Sequence, residues 1–218
     1  PEFAPAKGTG KIKSLSIFAL SALLLSACGE TAEQQTETAK EETTPVETIT
    51  YMADADASDL NWRGEVAGVY GHEGYVNLKS GKVMVEGDLI TGGEFVVDMT
   101  GIYPTDSASY GEEEGSRITD LMGHLATDDF FATEKYPTSK FVVKSVDGNI
   151  ITGDLTVRDK TNEEKIEVTS MEMTDDGMKM SGTLVFDRQK YDVAWVHFMK
   201  DYILSDDIQL QFTVVAKK

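Results

Sequence analysis

A single cysteine, Cys28, among 218 residues leaves no means of forming an internal disulfide or a multi-cysteine zinc site. Basic residues are few beside acidic ones: 20 Lys and Arg stand against 38 Asp and Glu, a net charge of −18. So acidic a chain is repelled by phosphate backbones, which excludes nucleic acid as a partner. There are only three histidines, His72, His124 and His197, and no pair has the H-x-x-x-H or H-E-x-x-H spacing of a helical zinc site. No metal is expected. A G-x-S-x-G elbow, a G-x-x-x-x-G-K-[ST] phosphate loop and a Rossmann glycine fingerprint are all missing. Asp128-Asp129 has no matched acid/base partner and reads as helix-end or loop sequence. No catalytic residue and no cofactor are assigned, and the chain is not expected to be an enzyme.

What is present starts with a leader. Lys7, Lys11 and Lys13 precede the uncharged run SLSIFALSALLLSA over residues 14–27. That run is short of the roughly 20 apolar residues needed to span a bilayer, and suits a signal-peptide core. It ends in Leu25-Ser26-Ala27-Cys28, small residues before a cysteine, which resembles a bacterial lipobox. The resemblance implies cleavage before Cys28, a diacylglycerol on its thiol and a third acyl chain, a palmitate-type modification, on the new amino terminus. Two or more acyl chains hold a protein stably on a membrane. The opening PEFAPAKGTG begins with proline and is set aside as a cloning scar or a misplaced start. Residues 1–27 are therefore read as leader. Gly29 follows the cysteine in place of an aspartate-type retention signal. The expected location is the cell envelope, facing the periplasm, with the outer membrane favoured over the inner.

Residues 28–58 form the next unit: the lipidated cysteine and an acidic tether rich in Glu and Thr. Such composition buries too little apolar surface to offset ordering entropy, so disorder is expected. Residues 59–218 form the domain, with 29 acidic and 16 basic residues. Here apolar residues alternate with polar ones in short runs: Val83, Val85 and Leu89; Phe95, Val97 and Met99; Ile151, Leu155 and Val157; Ile166 and Val168; Met178, Met180, Leu184 and Phe186; Ile208, Leu210, Phe212 and Val214. Period two marks strands with one face packed inward. Turn sequences such as Asp147-Gly148-Asn149 and Ser80-Gly81 separate the runs and favour antiparallel neighbours. With DLNWRGEVAGVYG and SKFVVKSV the count is about eight strands, which points to an all-β barrel or sandwich. Gly153 and Gly182 fall on inward faces and are expected to leave room inside or permit sharp coiling.

One segment departs from this pattern. Ile118, Leu121, Met122 and Leu125 recur at i, i+3, i+4 and i+7, which predicts an amphipathic helix with Ser116 as its N-cap, packed across a barrel mouth. QKYDVAWVHFMKDY, between the last two strands, shows neither period. The aromatic residues Trp62, Phe130, Phe131, Tyr136, Phe141 and Trp195 are numerous for a small barrel. From the residues alone, a barrel filled by its side chains and one that holds a ligand remain equal alternatives.

HLATDDFFATEKYPTSKF, residues 124–141, separates them. It resembles the signature of the YceI-like family: a His-Leu helix end, an Asp-Phe-Phe motif and a Tyr-Pro-x-x-x-Phe strand start. NWRGEVAGVYGHEGYV, GGEFVVDMTGI, ITGDLTVRDKT and FDRQKYDV resemble further family pieces in the same order. The resemblance covers residues 59–216. Ala132, Asp159 and Asp192 stand where the family usually has Asp, Gly and Gly. The first weakens any polar role at the mouth; at the other two, Asp is tolerated in turns.

The resemblance implies a lipocalin-like, eight-stranded antiparallel β-barrel with one or two short helices and a long apolar tunnel. It also implies an amphiphile as ligand, a polyisoprenoid or quinone-like lipid. Its expected lining is Trp62, His72, Phe95, Val97, Met122, His124, Leu125, Phe130, Phe131, Phe141, Leu155, Leu184, Phe186, Leu210 and Phe212, with the polar head near His124. The expected protein is a lipid-anchored carrier whose partners are an apolar lipid and, through Cys28, a membrane. Two barrels stacked mouth to mouth, a homodimer, are consistent with such a fold. The alternatives are a solid barrel serving as an interaction module, and an enzyme using His72 or His124 with a nearby carboxylate.

Overall fold

A computed structural model describes residues 47–66, 69–174, 176–196 and 203–218. Cys28 and His197 lie outside the described residues. The strands are β1 (Thr48–Ala53), β2 (Asp59–Val66), β3 (Tyr70–Glu86), β4 (Leu89–Pro104), β5 (Thr138–Asp147), β6 (Ile150–Val157), β7 (Lys160–Met173), β8 (Gly177–Asp187) and β9 (Leu204–Lys217). Among the described residues one α-helix, α1 (Ile118–Ala126), sits between β4 and β5. All strand pairs are antiparallel. Among the described residues no helix is long and apolar enough to cross a membrane.

The nine strands form a closed barrel of eight positions. β2 pairs with the first half of β3 and most of β9, and β1 pairs with the second half of β3 and the end of β9. β1 and β2 therefore share one position, interrupted at Asp54–Ser58 by a short 3-10 turn. Ser58 Oγ donates to the Asp54 carbonyl at 2.7 Å and accepts from the Val215 amide at 3.1 Å, tying the break to β9. The β3–β4 pairing closes the ring. Register shifts in β3 and β4 bend these 17- and 16-residue strands around the wall.

β1 corrects the expected boundary at residue 59, because the sheet begins within the stretch assigned to the tether. Thr48-Ile49-Thr50-Tyr51 carries its own alternation, and Tyr51 is buried among the core residues. Leu89, expected on the inward face with Val83 and Val85, is instead exposed beside the β3–β4 turn.

β6 and β8 bury every second residue, as their alternation predicts. The two inward glycines do not leave empty space. A Cβ on Gly153 would lie 2.5 Å from Phe141 Cζ and from the Val142 carbonyl oxygen. One on Gly182 would lie 2.8 Å from Phe212 Cζ and from the Glu167 carbonyl oxygen. Each glycine admits a phenylalanine ring from its neighbour strand.

The barrel is filled unevenly. The end with the β3–β4, β5–β6 and β7–β8 turns is packed with Tyr51, Val83, Val85, Ile151, Met178, Met180 and Ala216. The other end, where β2 turns into β3 and where the 105–137 and 188–203 connections run, is not. A Gly153→Ala or Gly182→Ala substitution is expected to force Phe141 or Phe212 out of place and to cost about 1–3 kcal/mol in urea denaturation. An unchanged midpoint would contradict the account of these two positions.

Candidate functional site

The open end of the barrel encloses a cavity of about 780 Å³, within the range of small-molecule sites. Its walls are the inward residues of the strands, among them Val76, Val97, Met99, Ile102, Leu155, Val157, Leu184, Ile208 and Leu210. Most polar lining groups, His72, Ser109, Tyr110, Ser116, Arg117, Asp120 and His124, belong to the mouth, and β5 adds Ser139 and Lys140. The site is thus an apolar channel with a polar rim.

Of the residues expected to line it, Trp62, His72, Val97, His124, Leu125, Phe130, Phe131, Phe141, Leu155, Leu184, Phe186 and Leu210 do so. Three do not. Phe95 and Phe212 line a separate space of about 60 Å³ deeper in the barrel. Val97, Phe141, Leu184 and Leu210 border both spaces. The expected long tunnel is therefore a large chamber at the open end with a small space adjoining it. Met122 lies off the cavity, because α1 turns Arg117, Leu121, His124 and Leu125 toward it instead.

The helix start is built differently from expectation. Asp120, not Ser116, satisfies the free amides: its Oδ2 accepts from Gly115 N at 2.8 Å and Arg117 N at 3.0 Å. Ser116 Oγ donates to the Glu113 carbonyl. His124 packs edge-to-face against Phe130 and Trp195, with ring centroids 5.0 and 4.9 Å away. Its Nε2 is buried and has no hydrogen-bond partner among the described residues.

A polar cluster centres on His72, whose partners Asp106 and Tyr110 sequence reasoning missed. Its Nδ1 lies 2.8 Å from Asp106 Oδ2, and the Tyr110 hydroxyl donates to Asp106 Oδ1 at 2.9 Å. Tyr110 stacks on the imidazole, with its hydroxyl 2.9 Å from Nδ1. Burial alone would raise the Asp106 carboxyl, but bonds from His72, Tyr110 and Ser109 outweigh it and hold the group below its ordinary value. Burial, then the Asp106 charge and bond, push the Tyr110 hydroxyl well above its ordinary range. Asp106 is therefore ionised and Tyr110 protonated at neutral pH. Asp106 and Tyr110 sit in a loop-like sequence more than 30 positions from His72, a separation that carries no periodic signal.

Two arginines hold the rim. The Arg188 side chain is 3% exposed. It donates to the carbonyls of Ser205, Val193, Trp195 and Leu204 and to Asp206 Oδ1, at 2.6–3.3 Å. Burial lowers its pKa, opposed by Asp206 and Asp187. It thus fixes the backbone on both sides of the β8–β9 connection, including the lining residues Trp195 and Leu204. Arg158, at φ 56°, donates to the carbonyls of Asp128, Phe130 and Asp192, fixing the Phe130 segment. Ala132, in place of the family's Asp, is buried at φ 47° and accepts backbone bonds from Lys135 and Tyr136. Asp192 takes the left-handed conformation at φ 58°, in keeping with the glycine usual there. Among the described residues no group of His, Cys, Asp and Glu could hold a metal ion.

Comparison with known proteins adds to this geometry. The model of the YceI-like domain matches residues 51–216. A UPF0312 protein of Staphylococcus aureus strain USA300 is 36% identical over 76 residues, 32% of this chain and 44% of that protein. The chain thus spans less than half the length of the curated relatives it matches. BcnA of Burkholderia cenocepacia superposes with a TM-score of 0.56 at 19% identity, covering 76% of this chain and 99% of that one. It shares the fold. A polyisoprenoid binding domain from Saccharophagus degradans gives a TM-score of 0.49 at 11% identity, covering 77% and 97%.

Arg188→Lys keeps the charge but not the fork of donors. It is expected to cost about 2–3 kcal/mol in urea denaturation, from carbonyls left unpaired. A loss below about 0.5 kcal/mol, the ordinary surface-substitution range, would contradict the clamp.

Proposed function

We propose, since this chain belongs to the YceI-like family, that it is a binding protein whose barrel takes up the hydrocarbon chain of an amphiphilic lipid. One observation carries the reading: a cavity of about 780 Å³ inside a closed barrel, apolar in its depth and polar at its rim. A chain buried there gains about 25 cal/mol for each Å² of apolar surface removed from water. The head stays at the rim, beside His72 and Arg117. A polyisoprenoid or quinone-like lipid fits these demands, and its branched tail suits walls of Val, Leu, Ile and Met. The open chamber argues against a barrel packed solid, and the role is binding rather than catalysis.

The leader and Cys28 complete the proposal. They support a lipoprotein held at the cell envelope by acyl chains on Cys28, with its barrel in the periplasm. Twenty residues after that cysteine the sheet begins at Thr48.

The test is lipid mass spectrometry. The compact unit Thr44–Lys218 retains β1 and would be exported behind a cleavable signal, purified without detergent and solvent-extracted. About one prenyl-type lipid per protein is expected. Leu210→Asp, in the wall of the chamber, is expected to abolish it while the far-ultraviolet spectrum stays β-type. An empty wild-type barrel that also refuses added prenols and quinones would refute the reading.

A further inference from the structure

The rim cluster specifies more than a polar environment. An ionised carboxylate only accepts hydrogen bonds, so Asp106 Oδ2 at 2.8 Å requires the proton on His72 Nδ1. The Tyr110 hydroxyl spends its own proton on Asp106 Oδ1 and turns a lone pair toward Nδ1. With one ring proton, placed there, Nε2 carries a lone pair. No described residue bonds to Nε2, and the His72 side chain, 26% exposed, lines the cavity. Stacking on Tyr110 and an edge contact with Tyr70 fix the plane of the ring.

Acidic residues outnumber basic ones at this end, which weighs against an anionic head. Asp106 is ionised, and Glu112, Glu113 and Glu114 sit in the segment leading to α1. Arg117 and Lys140 also line the cavity, but Arg117 Nε is tied to the Glu112 carbonyl and Lys140 faces Glu94 at 3.8 Å.

We propose that His72, oriented by Asp106 and Tyr110, is an acceptor for the head group, so that the barrel selects amphiphiles ending in a free hydroxyl, an isoprenol or phenol, over ethers, quinones and phosphates. This rests on the lipid-binding reading and adds the chemistry of the head. Asp106 and Tyr110 act through His72 and are positioning residues. A hydroxyl entering the rim donates to Nε2; an ether or quinone oxygen meets that lone pair with one of its own and gains nothing.

Three probes with one tail separate the terms: geranylgeraniol, its methyl ether and its diphosphate. Binding to the full chain, stripped of endogenous lipid, is followed at pH 8. Trp62 and Trp195, the chain's two tryptophans, both line the cavity and report occupancy. The alcohol is expected to bind about tenfold more tightly than the ether, the worth of one well-made hydrogen bond. His72→Phe, which keeps the stack on Tyr110, is expected to bring that ratio to about one while the affinity for the ether is kept. Asp106→Asn, an independent variant, is expected to narrow the ratio. Equal binding of alcohol and ether by the wild-type protein, a preference that survives in His72→Phe, or tightest binding of the diphosphate would each overturn the assignment while leaving the carrier reading in place. Failure to bind even the ether would overturn the carrier reading, and this assignment with it.

Discussion

Closure of the sheet is the constraint on which everything else in this molecule depends. β3 pairs on one side with β1 and β2 and on the other with β4, so the ring of eight positions has no free edge. Closure at eight positions sets an interior just wide enough to be filled by side chains or to hold one small ligand. Which of the two occurs is decided by the inward residues, layer by layer. Here the choice differs between the ends. Below, Tyr51, Met178, Met180 and the paired valines of β3 fill the lumen. Above, Gly64, Val66, Val76 and Ile208 leave it open. Phe95, Phe141 and Phe212 lie between, and the three rings lean over Gly81, Gly153 and Gly182, which a methyl group would not replace without a clash.

An open chamber needs a rim that does not collapse into it. Strand pairing does not supply one, because the connections there are long and irregular. Arg188 and Arg158 supply it by donating to carbonyls that no ladder satisfies. Such bonds are charge-assisted and directional, and they hold Trp195, Leu204 and Phe130 at fixed places around the opening. Asp120 fixes the start of α1 by accepting from the Gly115 and Arg117 amides. The polar rim is thus built from residues whose capacity is spent on the backbone. Against them His72, with Nδ1 engaged and no partner for Nε2 among the described residues, stands out as a group able to meet a ligand.

Much of this was legible in the chain. The alternation in β6 and β8 reads directly onto buried and half-buried positions, because period two survives wherever one face is packed. The spacing of Ile118, Leu121 and Leu125 announced α1. β1 was hidden because Thr48–Ala53 follows a Glu- and Thr-rich stretch and becomes a strand only by pairing with Val83 and Val85, distant in sequence. What fills the space beside Gly153 and Gly182 was hidden for a related reason: Phe141 and Phe212, their neighbours across the sheet, occupy it, and register is not written in one strand. Asp106 and Tyr110 resemble any loop residues until the fold brings them to His72. The motif around Arg188 was visible, but three of its five bonds depend on where the chain returns sixteen and more residues later.

The central claim is that the upper half of this barrel is open apolar volume. Crystals of the delipidated protein pressurised with xenon test it most directly, since empty apolar cavities take up this gas and filled cores do not. The account predicts bound xenon between Val97, Leu155 and Leu210, with none in the packed layer around Tyr51 and Met178. Side-chain density filling the upper chamber, with no xenon there, would contradict it.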